Sequence, residues 1–157
     1  MQKIAPCLWF DTEGEEAAQF YTSVFPNSKI TEVTRYGSAG PRAEGSVMTV
    51  SFELDGQKFT ALNGGPDFKF NEAVSLEVQC KDQDEVDKYW STLSEGGEEG
   101  PCGWLKDKFG LSWQVIPTIL YELIADPDRE KSQRVMAAML QMRKIEVDEL
   151  EKAAAEA

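Results

Sequence analysis

Val74-Ser75-Leu76-Glu77-Val78-Gln79-Cys80, followed across Lys81 by Asp82-Gln83-Asp84-Glu85, is the stretch that decides the fold. Apolar side chains at 74, 76, 78 and 80 alternate with polar ones at 75, 77 and 79, the period of a half-buried strand. The acidic run suits the positive end of a helix dipole, so a helix is predicted to start there. Its stripe is Val86, Tyr89, Trp90 and Leu93, and Gly96-Gly97 ends it. Trp104 to Lys108, a Phe109-Gly110 turn and Leu111 to Ile116 read as closing strands, stopped by Pro117.

The same cycle stands upstream. Ile4 to Phe10 reads as a strand, Asp11 to Glu16 as an acidic helix start, and Ala17, Ala18, Phe20, Tyr21 and Val24 as its stripe, closed by Pro26-Asn27. Ile30 to Tyr36 and a Gly- and Pro-containing loop follow. Val47 to Leu54 and Lys58 to Asn63 then flank Asp55-Gly56, a strong hairpin signal. The aromatic pairs Phe20-Tyr21 and Tyr89-Trp90 lie 69 residues apart, and the strand openers Ile4 and Val74 lie 70 apart. Strand-helix-strand-strand-strand is therefore written twice. The expected class is α+β: two βαβββ repeats, about 1–66 and 67–117, forming one domain over 1–117, with a helical extension over 118–157.

In that extension Ile119 to Ile124 reads as a short helix, Asp128 as the cap of Arg129 to Met142, and Asp148 as the cap of a last helix. The middle helix gathers Val135, Met136, Met139, Leu140 and Met142. Two readings stand: an ordinary surface helix, or a Met-rich face that docks on a second subunit.

Composition narrows the function. The 157 residues suit one domain or two small repeats. Sixteen Lys and Arg against 28 Asp and Glu give a net charge of −12. That balance argues against a nucleic-acid partner and against an anionic membrane surface. The histidine count is zero, which removes Ser-His-Asp and Cys-His catalysis and every His-containing zinc or iron site. Three cysteines, Cys7, Cys80 and Cys102, lack any CxxC spacing. The N-terminus lacks the apolar core of a signal peptide, and no apolar run reaches membrane length, so a cytoplasmic protein with free thiols is expected.

The chain resembles the PhnB-like group of the vicinal oxygen chelate superfamily, the glyoxalase, bleomycin-resistance and dioxygenase relatives. The group is often labelled a demethylubiquinone methyltransferase domain. The likeness is carried by Pro6-Cys7-Leu8-Trp9-Phe10, Ala17-Ala18-Gln19-Phe20-Tyr21, Val24-Phe25-Pro26-Asn27-Ser28, Leu62-Asn63-Gly64-Gly65 and Phe68-Lys69-Phe70-Asn71-Glu72. It continues through Cys102 to Gln114 and into the tail at Gln133-Arg134-Val135-Met136. The resemblance implies a cupped mixed sheet around a small-molecule pocket, and a homodimer.

Strand parity selects a pocket face. If Val74, Leu76 and Val78 meet the covering helix, Ser75, Glu77 and Gln79 face the cup. The repeat offset adds Ala5, Cys7 and Trp9, and the last strands add Ser112, Gln114, Thr60 and Leu62. Metal enzymes of the superfamily carry His, Gln or Glu on these strands. Here the matching set is Cys7, Thr60, Glu77 and Gln114, which is poor in charge and has no imidazole, so neither a metal nor another cofactor is expected.

Glu77 is the acid–base candidate: among Trp9, Phe70 and Trp104 it would be desolvated, whereas on a strand edge it would be a solvated acid. Cys102, between Pro101 and Gly103, reads either as a reactive thiol or, with no histidine to activate it, as a buried inert cysteine. The expected ligand-binding set is thus Cys7, Trp9, Thr60, Phe70, Glu77, Cys102, Trp104 and Gln114. Asn63-Gly64-Gly65-Pro66 lacks the context of a phosphate loop, and no GxGxxG follows a first strand, so methyl transfer is disfavoured. The expected function is metal-independent small-molecule binding. The alternative is an enzyme of lyase, isomerase or dioxygenase type acting on an oxygenated or aromatic molecule.

Overall fold

The first cycle folds as β1 (Cys7–Phe10), α1 (Gly14–Val24), β2 (Lys29–Arg35), β3 (Val47–Leu54) and β4 (Gln57–Asn63) in the computed structural model, which describes residues 2–156. The sheet order is β1-β4-β3-β2, with β1 parallel to β4 and the other pairs antiparallel. Asp55 and Gly56 both have left-handed φ, 48° and 79°, which a two-residue turn matched to strand twist requires. Ala17, Ala18 and Tyr21 of α1 are fully buried with Val50 and Phe52 of β3, and the Tyr21 and Phe52 rings lie 6.3 Å apart. The helix start has no side-chain cap of its own. Asn63 Oδ1, at the end of β4, accepts from Gly14 N at 2.7 Å instead.

The second cycle gives β5 (Ser75–Cys80), α2 (Gln83–Ser94), β6 (Glu98–Glu99), β7 (Trp104–Lys106) and β8 (Ser112–Pro117). Its order, β5-β8-β7-β6 with β5 parallel to β8, repeats the first. Asp82 caps α2, its carboxylate accepting from Glu85 N at 3.0 Å. β6 left no signal in the sequence: two adjacent glutamates carry no apolar period. The opening strands begin later than expected, at Cys7 and Ser75, and Ile4 and Val74 are exposed. Contacts gather the chain into two compact units, Met1–Phe70 and Asn71–Ala157.

The extension is α3 (Thr118–Ile124), α4 (Arg129–Met139) and α5 (Val147–Ala155), and it packs within the second unit. Ile116, Leu120, Val135, Ile145 and Leu150 form a buried cluster, with Met139 and Met142 packed against it. Gln83 of α2 ties the tail at both amide atoms, Nε2 donating to Ile145 O at 3.0 Å and Oε1 accepting from Val147 N at 2.6 Å. Lys144 pairs with Asp87 at 2.8 Å. Asp128 caps α4 as expected, accepting from Lys131 N, but α4 ends at Met139, and Asp148 sits inside the first turn of α5 rather than at its cap. The Met-rich stripe thus serves the chain's own core: Val135 is buried, Met139 half-buried, and Leu140 exposed.

Candidate functional site

Ladder register aligns the expected residues into rows, separately in each unit. In the first unit Cys7 stands beside Thr60, and Thr60 faces Ser51. An open groove of about 340 Å³ runs along Thr60, Ser51 and Thr31. Cys7 is exposed as a residue, yet desolvation of its thiol pushes the pKa up, which disfavours the thiolate that a metal needs. Trp9 is half-buried. Its indole N–H donates to Gly65 O at 2.8 Å, and its ring meets Phe68 edge-on at 4.9 Å. Phe70 meets Phe10 edge-on at 5.3 Å. Both aromatic candidates therefore anchor the segment after β4, and Phe68, which they leave outermost, is 65% exposed.

In the second unit two rows cross the sheet. Glu77, Gln114 and Trp104 are partners in one, Ser75, Ser112 and Lys106 in the next. Period-2 alternation puts both rows on the face opposite Val78, Val115 and Leu105, the buried residues of the core side. Gln114 Nε2 donates to Ser75 Oγ at 3.0 Å. Glu77 is exposed, not enclosed among aromatics, so the expected desolvation is not what the strand provides. Its neighbour is Tyr121 of α3, whose pKa is raised first by burial and then by the charge and hydrogen bond of Glu77.

An open groove of about 460 Å³ lies along Trp104, Cys102, Lys106, Ser112, Glu72 and Glu98. Lys106 Nζ meets Glu72 at 2.9 Å, and the hydrogen bond lowers the glutamate pKa and raises the lysine's. Cys102 is half-buried with φ 58°, a left-handed conformation rare outside glycine. Its N–H donates to Met142 O at 2.8 Å, and that of Gly103 to Arg143 O at 2.7 Å, so the tail holds this loop in place. A Cβ on Gly103, φ 85°, would meet Ile116, Val115 O and Ile145 at 2.9–3.1 Å. Ser112 is 1% exposed, and among the described residues its Oγ is the buried side-chain oxygen without a hydrogen-bond partner.

Parity had signalled Ser112, and its ladder partner Lys106 could have been found the same way. Tyr121 and Glu72 gave no such signal, since neither belongs to a strand.

The residues do not suit a resident metal. Cys7, Thr60, Glu77 and Gln114 offer one carboxylate, one thiol of raised pKa and two neutral donors, a set poor in charge and without imidazole. Among the described residues no three His, Cys, Asp or Glu side chains are grouped to hold an ion.

The family model described as 3-demethylubiquinone-9 3-methyltransferase matches residues 2–116. A putative protein of that description, PhnB from Bacillus cereus, is 37% identical, covering 74% of this chain and 99% of its own, with a TM-score of 0.66. Protein PA1353 from Pseudomonas aeruginosa is 18% identical over 74% of this chain and 98% of its own, TM-score 0.62. The fosfomycin resistance protein FosX of Listeria monocytogenes, complexed with Mn(II) and sulfate, is 13% identical over 74% and 91%, TM-score 0.52. These last two likenesses concern the fold. No curated protein matches the sequence. With 115 consecutive residues matched and both βαβββ sheets formed, the chain belongs to the family described as 3-demethylubiquinone-9 3-methyltransferase, as a PhnB-like protein with a glyoxalase-type fold.

Proposed function

We propose that this protein binds a small organic molecule without a metal, on the polar rows of its sheets. The observation that carries the reading is the row Trp104–Gln114–Glu77, an aromatic, an amide and a carboxylate in register, of which Trp104 also lines an open groove. A few polar groups next to an aromatic wall are what a small-molecule site needs. The candidate set remains Cys7, Trp9, Thr60, Phe70, Glu77, Cys102, Trp104 and Gln114, four from each unit, within one domain over 1–117. The protein acts as a homodimer in the cytoplasm, and the charge of −12 suits neither nucleic acid nor an anionic membrane as partner. Methyl transfer is not proposed: each sheet mixes parallel and antiparallel pairs, unlike the doubly wound parallel sheet that carries a nucleotide-type cofactor.

A second reading, an enzyme acting on an oxygenated or aromatic substrate, is favoured by one contact. Tyr121 stands beside Glu77, whose charge helps to raise the tyrosine pKa, so a proton donor neighbours the acid–base candidate. Native mass spectrometry of freshly purified protein separates the readings. A dimer carrying a non-covalent organic mass, released by Trp104→Ala, supports binding. About one equivalent of transition metal per chain, lost in Glu77→Ala or Cys7→Ala, overturns the metal-free reading. Turnover whose pH–rate profile changes in Tyr121→Phe supports the enzyme.

A further inference from the structure

We propose that the groove beside Trp104 takes an organic cation: an amine on an apolar body that also carries a hydroxyl or carbonyl. This rests on the small-molecule reading above and names the ligand class. Three features converge. The walls at Trp104 and Pro101 are apolar, and about 460 Å³ suits a small ring system. The charge around the opening is unbalanced. Lys106 is held by Glu72 at 2.9 Å, and Glu98 stands opposite Lys106 in the β6–β7 ladder, so two carboxylates share one ammonium. Glu98 also acts on Lys106 through its charge. Glu99 is on the same lining, so three carboxylates stand against one ammonium and net negative charge is left beside Trp104, which favours a cation over an anion. Lastly, Ser112 pairs with Lys106 across the β7–β8 ladder and lines the same groove, and its buried Oγ has no partner in the protein. A buried hydroxyl without a partner is destabilising unless something else bonds it. In this assignment the ammonium donates to the Glu98 carboxylate, the ring lies along Trp104, and the ligand oxygen exchanges a hydrogen bond with Ser112 Oγ.

The test uses the full chain and three probes of one shape: tyramine (cation), tyrosol (neutral) and 4-hydroxyphenylacetate (anion), titrated by calorimetry. Tyramine is expected to bind about tenfold tighter than tyrosol, with the anion weaker still. Glu98→Gln, at an exposed position, should remove that advantage and leave tyrosol affinity unchanged. Ser112→Ala should weaken tyramine and tyrosol together while the melting temperature holds or rises, since it deletes an unpartnered oxygen. Equal binding of all three probes overturns the cation class and leaves the small-molecule reading standing. Unaltered affinity in Ser112→Ala overturns the role of the buried hydroxyl. Binding of none of the three overturns the proposal, and a co-purified mass released by Trp104→Ala would still uphold the broader reading.

Discussion

Asp107 shows how a single side chain organises the sheet beneath the candidate groove. It is 2% exposed, and its carboxylate accepts from Phe109 N at 2.8 Å, Leu111 N at 3.1 Å and Trp113 Nε1 at 2.8 Å. Asp at the first position and Gly110 at the fourth suit the tight turn between β7 and β8. Trp113 is therefore both core filler and hydrogen-bond donor, while its neighbour Gln114 belongs to the opposite face. Trp113→Ala should cost about 3–5 kcal/mol in urea denaturation, and Gln114→Ala no more than about 1 kcal/mol. Equal losses would place the β8 register one residue off.

A second residue-scale prediction concerns Cys80. Burial, followed by the charges of Glu85 and Asp82, pushes its thiol up to about 12 from 9.0. The folded state keeps the proton that the unfolded chain gives up. Its stabilising contribution is present below pH 9 and is lost as pH rises toward about 12. Urea midpoints measured from pH 8 to 10.5 should fall less steeply in Cys80→Ala than in the parent.

At the scale of elements, α4 carries apolar side chains that a sequence cannot assign to a partner. The structure buries Val135 in the cluster with Ile116, Leu120, Ile145 and Leu150, packs Met139 against it and leaves Leu140 56% exposed. Met139→Lys should destabilise the extension by about 1–3 kcal/mol, because a charge would enter an apolar contact. Leu140→Lys should stay within about 0.5 kcal/mol in stability. If light scattering shows Leu140→Lys alone shifting mass toward the 17.5 kDa chain, α4 contributes to the proposed dimer contact.

At the scale of the whole molecule, the extension lies outside the matched residues 2–116 and yet is built into the second unit. It supplies the carbonyls of Met142 and Arg143 to the Cys102–Gly103 loop, the partners of Ile116, and Tyr121 beside Glu77. Cutting the chain after Pro117 should lower the melting temperature by more than about 5 °C, as loss of roughly two kcal/mol or more does at this size. Faster proteolysis in the 100–103 loop should accompany it. Unchanged melting and loop protection would show the extension to be a passenger.

The two strand-helix cycles, the Asp55-Gly56 turn, the acidic helix start at Asp82, the Asp128 cap and the polar face of β5 and β8 were all legible in the sequence. Each rests on a local rule: alternation, helical spacing, a cap or a left-handed turn. The absence of histidine likewise settled the imidazole question before any fold was known. The rest depended on contacts between residues distant in sequence. Asn63 replaces a missing cap 49 residues away, Gln83 clasps the tail from 62 and 64 residues away, and Ser112 shares a groove with Glu72 from the segment before β5. Whether an exposed-looking Glu77 is enclosed, or a Met-rich stripe is covered, is decided by what packs nearby, and periodicity carries no information about that neighbour.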